Sequence, residues 1–117
     1  MNLKERFDAM KKSGMDVRPL ELIGDLDEKS AIAHLEGRAA AFAEGALAMK
    51  YKVLVALGAA IALDSPACIM NNVKAAKQAG ATNQEIMEAI AVAKFSKSST
   101  VVSNSTPALE WLVAQAK

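Results

Sequence analysis

The chain has 117 residues, of which 52% are hydrophobic and 4% aromatic, and its formal net charge is +1. A near-neutral balance excludes the basic footprint of a nucleic-acid binder, and an apolar, aromatic-poor composition favours close-packed helices over sheets. A single cysteine excludes an internal disulfide and predicts a reducing, cytoplasmic setting.

Residues 1–117 read as one domain, all-α, with about six helices, long enough to bury roughly two thirds of its unfolded surface. Asn2 to Lys12 forms a short amphipathic helix, with Leu3, Phe7 and Met10 at helical spacing. Its charges leave no apolar leader, so no secretory signal is expected. Ser13-Gly14 ends it. Met15 to Gly24 is ambiguous. Pro19 suits the opening of a short helical turn, with Leu20, Leu22 and Ile23 packed inward.

Asp27 to about Glu44 is the next helix, with Ile32, Leu35, Ala39 and Phe42 on its apolar face. A further helix is expected from Ala46 to Leu63. Lys50 and Lys52 keep its first turns amphipathic, but from Val53 onward it is apolar all round. A helix without a polar face is buried on every side. A domain this small has few ways to surround one, so a second subunit is expected to cover the remaining face. The run is too short to span a bilayer.

Asp64-Ser65-Pro66 is a helix start, with serine at the cap and proline at the first helical position. Cys68 then falls in the first turn, and the helix runs to Ala79 and Gly80. Thr82-Asn83-Gln84-Glu85 is a capping box. Ile86, Met87, Ile90, Ala91 and Ala93 line one face of the helix it opens. Ser96 to Thr100 reads as a polar break, either a solvated turn or, with its hydroxyls and Lys97, a place to hold an anion. Val101 to Ala116 forms the last helix, disturbed near Pro107, with Leu109, Leu112 and Val113 inward.

Cys68 is the residue to which chemistry attaches first. Free N–H groups and the helix dipole favour an anion in a first turn, which promotes the thiolate. The alternative is a small buried hydrophobe. His34 has no ligand partner at helical spacing and reads as a surface residue. No His/Cys/Asp cluster or glycine-rich phosphate loop is evident, so no metal or cofactor is expected.

The apolar helix, then Ser65-Pro66-Ala67-Cys68-Ile69-Met70-Asn71-Asn72, then Ala79-Gly80-Ala81-Thr82 before Glu85, together resemble the AhpD-like/carboxymuconolactone decarboxylase family. That family carries Cys-x-x-Cys-Ile-x-x-His, then an Ala-Gly-Ala-Thr turn and an acidic helix start. The resemblance covers Gly45 to about Val92. It implies a helical bundle assembling through an antiparallel helix pair, as a dimer, trimer or hexamer. It also implies thiol-dependent hydroperoxide reduction of the peroxiredoxin kind.

By that resemblance Cys68 aligns with the cysteine that attacks peroxide. Ser65 stands where the resolving cysteine would be, and a hydroxyl forms no disulfide; otherwise it is a plain N-cap. Asn72 stands where the family has histidine, one turn from Cys68, and asparagine does not titrate. Val53 replaces the family's acid. Glu44 is a substitute carboxylate if it reaches the Cys68 turn, and otherwise a favourable charge near a helix start.

Three readings follow. One is a one-cysteine peroxidase regenerated by an external thiol or by a cysteine across a subunit interface. The second is a non-catalytic oligomeric module or small-ligand binder, with a pocket lined by Met49, Met70 and Met87. The third is a decarboxylase-like lyase using Lys50, Lys52 and Glu44.

Overall fold

Asn2 caps the first helix, α1 (Leu3–Lys12), by accepting the Glu5 N–H at 2.8 Å. This opens a computed structural model that describes residues 1–117 as seven α-helices without a strand. Ser13 closes α1, and Gly14 turns the chain at φ +86°, a left-handed conformation that a Cβ would strain. Pro19 stands at the start of α2 (Arg18–Leu26). The residue that anchors this segment is Val17, just before the helix and buried. Leu20 is half-buried, whereas Leu22 and Ile23 are exposed rather than inward. The partly covered stripe of α2 is Leu20, Glu21 and Gly24, and Leu22 and Ile23 fall outside it.

Asp27 caps α3 (Glu28–Ala41), accepting from the Lys29 N–H and the Ser30 hydroxyl. The helix stops three residues short of Glu44. Lys52 explains the stop: its ammonium donates to the carbonyls of Ala41 and Ala43 at 3.0 and 2.5 Å. These are carbonyls a continuing helix would engage itself. Residues 42–48 therefore form an irregular loop, and α4 spans Met49–Ala62, starting later than Ala46.

The left-handed Asp64 (φ 54°) turns the chain into α5 (Pro66–Gln78), and Gly80 (φ +90°) ends that unit. Thr82 and Glu85 form the capping box of α6 (Asn83–Asn104), with both reciprocal bonds present. No break occurs at Ser96–Thr100, which lies inside α6. One of the hydroxyls that suggest a turn is turned back on the helix, Thr100 donating to the Lys97 carbonyl, and beyond the stretch Ser105 does the same to that of Val101. Lys97 pairs with Asp64 on the α4–α5 turn. With no helix start there, that stretch supplies no anion-holding N-terminus. The break falls at Ser105, and Pro107 sits in the first turn of α7 (Thr106–Ala116), where its missing N–H costs nothing.

Two small cores result. Phe7, Val17, Ala31 and Leu35 join α1, the α1–α2 turn and α3. Val53, Leu57, Ala76, Ala81 and Ile86 join α4, α5 and α6. Polar contacts tie them: Lys74 and Gln78 of α5 donate to the carbonyls of Gly14 and Ser13, at 2.9 and 2.6 Å. The α1–α2 turn thereby rests on α5.

The apolar helix α4 is not surrounded. Val53, Leu57 and Ala60 are buried, but Val55 on another face is 66% exposed. On α7 nothing is buried, and Leu109, Leu112 and Val113 face outward rather than inward. The chain is correspondingly long, 68 × 36 × 25 Å, with a radius of gyration of 18.9 Å. A compact chain of this length has about 13 Å.

Candidate functional site

Ser65 stands at the N-cap of α5 in extended backbone conformation, and its hydroxyl makes no capping hydrogen bond. The Ser65 carbonyl accepts the Ile69 N–H at 2.9 Å, closing the first turn. Cys68 is the third residue of that turn, a free and exposed thiol. The turn's early N–H groups have no intrahelical acceptor and favour negative charge beside them. The Ser65 hydroxyl and the Cys68 thiol thus share one end of one helix, three residues apart.

Asn72 follows one turn later and is half-buried. The asparagine this helix employs structurally is its neighbour Asn71, which accepts the Asp16 N–H at 3.0 Å and donates to the Asp16 carbonyl. Val53 is 4% exposed and packed in the α4–α5–α6 core. The position to which the resemblance would assign an acid is here part of the apolar packing.

Glu44 is exposed in the loop before α4. Lys52 staples that loop to the first turn of α4. Cys68 follows the other end of α4, a helix about 21 Å long. The two residues therefore belong to opposite ends of α4. His34 lies exposed on α3.

Lys50 and Glu85 form the one ion pair that sequence reasoning overlooked between α4 and α6, at 2.9 Å. Glu85 is held below its ordinary carboxylate value, first by the Thr82 backbone N–H and then by the Lys50 ammonium. Lys50 is correspondingly raised by its bond to the Glu85 carboxylate. The signal was present in part, because the capping box already places Glu85 at the start of α6. The partner across the helix pair depends on packing.

Beside this pair runs an open groove of about 650 Å³ between α4 and α6. Tyr51, Leu54, Val55 and Val92 form its walls, and Gly58 and Ala89 are among the small residues that leave it open. Glu85 and Glu88 border it near the helix starts, and Ser96 lies at the far end. Met49, Met70 and Met87 do not line it; all three are exposed elsewhere. Cys68 does not open into it either. Thiol and groove are separate features of the single chain. No three His, Cys, Asp or Glu side chains converge to hold a metal, and no helix is long and apolar enough to cross a membrane.

The model of the carboxymuconolactone decarboxylase family matches residues 29–111, from α3 into α7. A protein of Paracoccus denitrificans named "uncharacterized protein 4 in cox locus" is 41% identical over 68 residues. That match takes in 58% of this chain and 61% of that protein, so the chain spans about three fifths of this relative.

Proposed function

The chain belongs to the carboxymuconolactone decarboxylase family, and from that premise we propose that it is a one-cysteine, thiol-dependent hydroperoxide reductase of the AhpD-like kind, working as a homo-oligomer. The observation that carries the reading is the exposure of Cys68 in the first turn of α5. The thiolate attacks the peroxide's terminal oxygen. The O–O bond breaks, the S–O bond forms, and the alkoxide leaves as alcohol after taking a proton. Cys68 becomes a sulfenic acid.

With Ser65 as neighbour there is no thiol in the same chain to condense with. An external thiol attacks the sulfenic sulfur and releases water, leaving a mixed disulfide. A second external thiol attacks that disulfide and restores Cys68, and the pair of external thiols leaves as their own disulfide. Asn72 contributes a hydrogen-bonding amide and no titrating group, so protons pass to and from solvent at the exposed turn.

The test follows the intact mass of the protein during brief treatment with hydrogen peroxide or an organic hydroperoxide, with a sulfenic-acid trap present. A single trapped adduct, absent in Cys68→Ala, is the expected result. A thiol left unmodified at millimolar peroxide overturns the reading.

A second reading, a non-catalytic oligomeric module, is favoured by the burial of Val53 in the core, since no acid begins a proton relay there. Lyase chemistry has less support. Lys50 is paired with Glu85, and Lys52 is engaged by backbone carbonyls, so neither cation stands free for a substrate carboxylate.

A further inference from the structure

The groove between α4 and α6 and the bare helix α7 have matching lengths. The groove follows α4 from Tyr51 to Ala62, about 17 Å along the helix. The eleven residues of α7 are also about 17 Å long. Leu109, Leu112, Val113 and Ala116 recur at the spacing of one helical face, and every one is exposed. Small residues at Gly58, Ala59, Ala89 and Ala93 let another helix approach closely.

The chain's own α7 is badly placed to fill that space. The groove ends on α6 at Ser96, and α7 begins at Thr106, about 15 Å further along the helix axis. Folded back from Ser105, α7 would only just reach the Ser96 end and leave the Tyr51–Glu85 half open. The surface area agrees. The chain exposes 8215 Å², about 2,100 Å² more than a compact monomer of its mass. Two chains covering that excess on each other would bury about 4,200 Å², within the range of obligate homodimers.

We infer that α7 of a second copy lies in the α4–α6 groove, exchanged between copies of this chain. The inference rests on the homo-oligomeric part of the reading above and not on its redox part. Charge gives the direction. Lys117, which follows α7, meets the end bordered by Glu88, while Glu85 is already held by Lys50. The inserted helix therefore runs antiparallel to α6.

The test uses full-length chains in a Cys68→Ala background. Val55→Cys is placed in the groove of one copy and Leu112→Cys on α7 of another, and the two are mixed with a flexible bis-maleimide. Val92→Cys with Val113→Cys is a second pair, used as well in case one substitution fails to fold by circular dichroism. Size-exclusion chromatography with light scattering gives the assembly state of the unmodified chain. The expected result is an oligomer in which the mixed pairs give a cross-linked dimer, and in which Leu112→Glu with Val113→Glu weakens association at least about tenfold. An oligomer that yields no mixed product from either pair, or that tolerates the two glutamates, overturns the exchange of α7 and leaves the oligomer standing. A chain that is monomeric at every concentration overturns both.

Discussion

Leu57 is fully buried at the centre of the α4–α5–α6 core, touching a cluster that includes Val53, Ala76, Ala81 and Ile86. Leu57→Ala removes three carbon atoms from a site with no access to water. The lost transfer energy is about 2 kcal/mol. The neighbours come from three different helices, whose backbones cannot all close on the space, so a cavity term adds to this. The total is about 3–5 kcal/mol. A domain of this length has about 6–17 kcal/mol in all, so the change removes a large share of it. Urea unfolding followed by far-ultraviolet circular dichroism measures the loss, at several protein concentrations because association adds to apparent stability. The substitution should lower the midpoint with little change in slope. A loss below about 1 kcal/mol would show that this core is not the tightly packed centre described here.

Further outcomes follow from individual residues. Asp64 holds a left-handed backbone, which aspartate tolerates and β-branched residues do not. Asp64→Val should destabilise by about 1–3 kcal/mol, whereas Asp64→Gly should come within about 1 kcal/mol of the parent; equal midpoints for the two would dismiss the strain. Ser65→Cys should let peroxide-treated Cys68 form an internal disulfide, seen as a loss of two hydrogens in intact mass and of labelling by maleimide. Persistence of a trappable sulfenic acid in that variant would mean the two side chains cannot meet. Glu85 is lowered in the folded state. Its stabilisation is fully present above the ordinary value of 4.5 and is lost as pH falls through the lower folded value. Lys50 is raised, so its contribution holds below 10.5 and is lost as pH climbs through the folded value. Glu85→Gln should flatten both limbs of a stability–pH profile, and unchanged limbs would remove the pair from the account.

Signals contained within about one helical turn were legible in the order of residues. The Thr82–Glu85 box caps its helix as its spacing dictates, and Asn2 and Asp27, read from the sequence as helix starts, prove to be caps through N–H groups three and two residues on. Ser65-Pro66 opens α5 and Gly80 closes the unit that follows. These contacts need no partner from elsewhere in the chain, so local chemistry suffices. The same holds for the place of Cys68 in a first turn, for the serine beside it and for the asparagine one turn on. Contacts between distant residues decided the rest. Lys52 reaches back to two carbonyls and ends α3 early. Within Ser96–Thr100, which stays helical, the Thr100 hydroxyl finds the Lys97 carbonyl one turn back and Lys97 meets Asp64 on a distant turn. Glu85 gains Lys50, Val53 is enclosed, and Cys68 is left open to solvent. Periodicity marks which side chains are apolar. Whether an apolar face is covered depends on what packs against it, and on α4 and α7 that information lies in three dimensions.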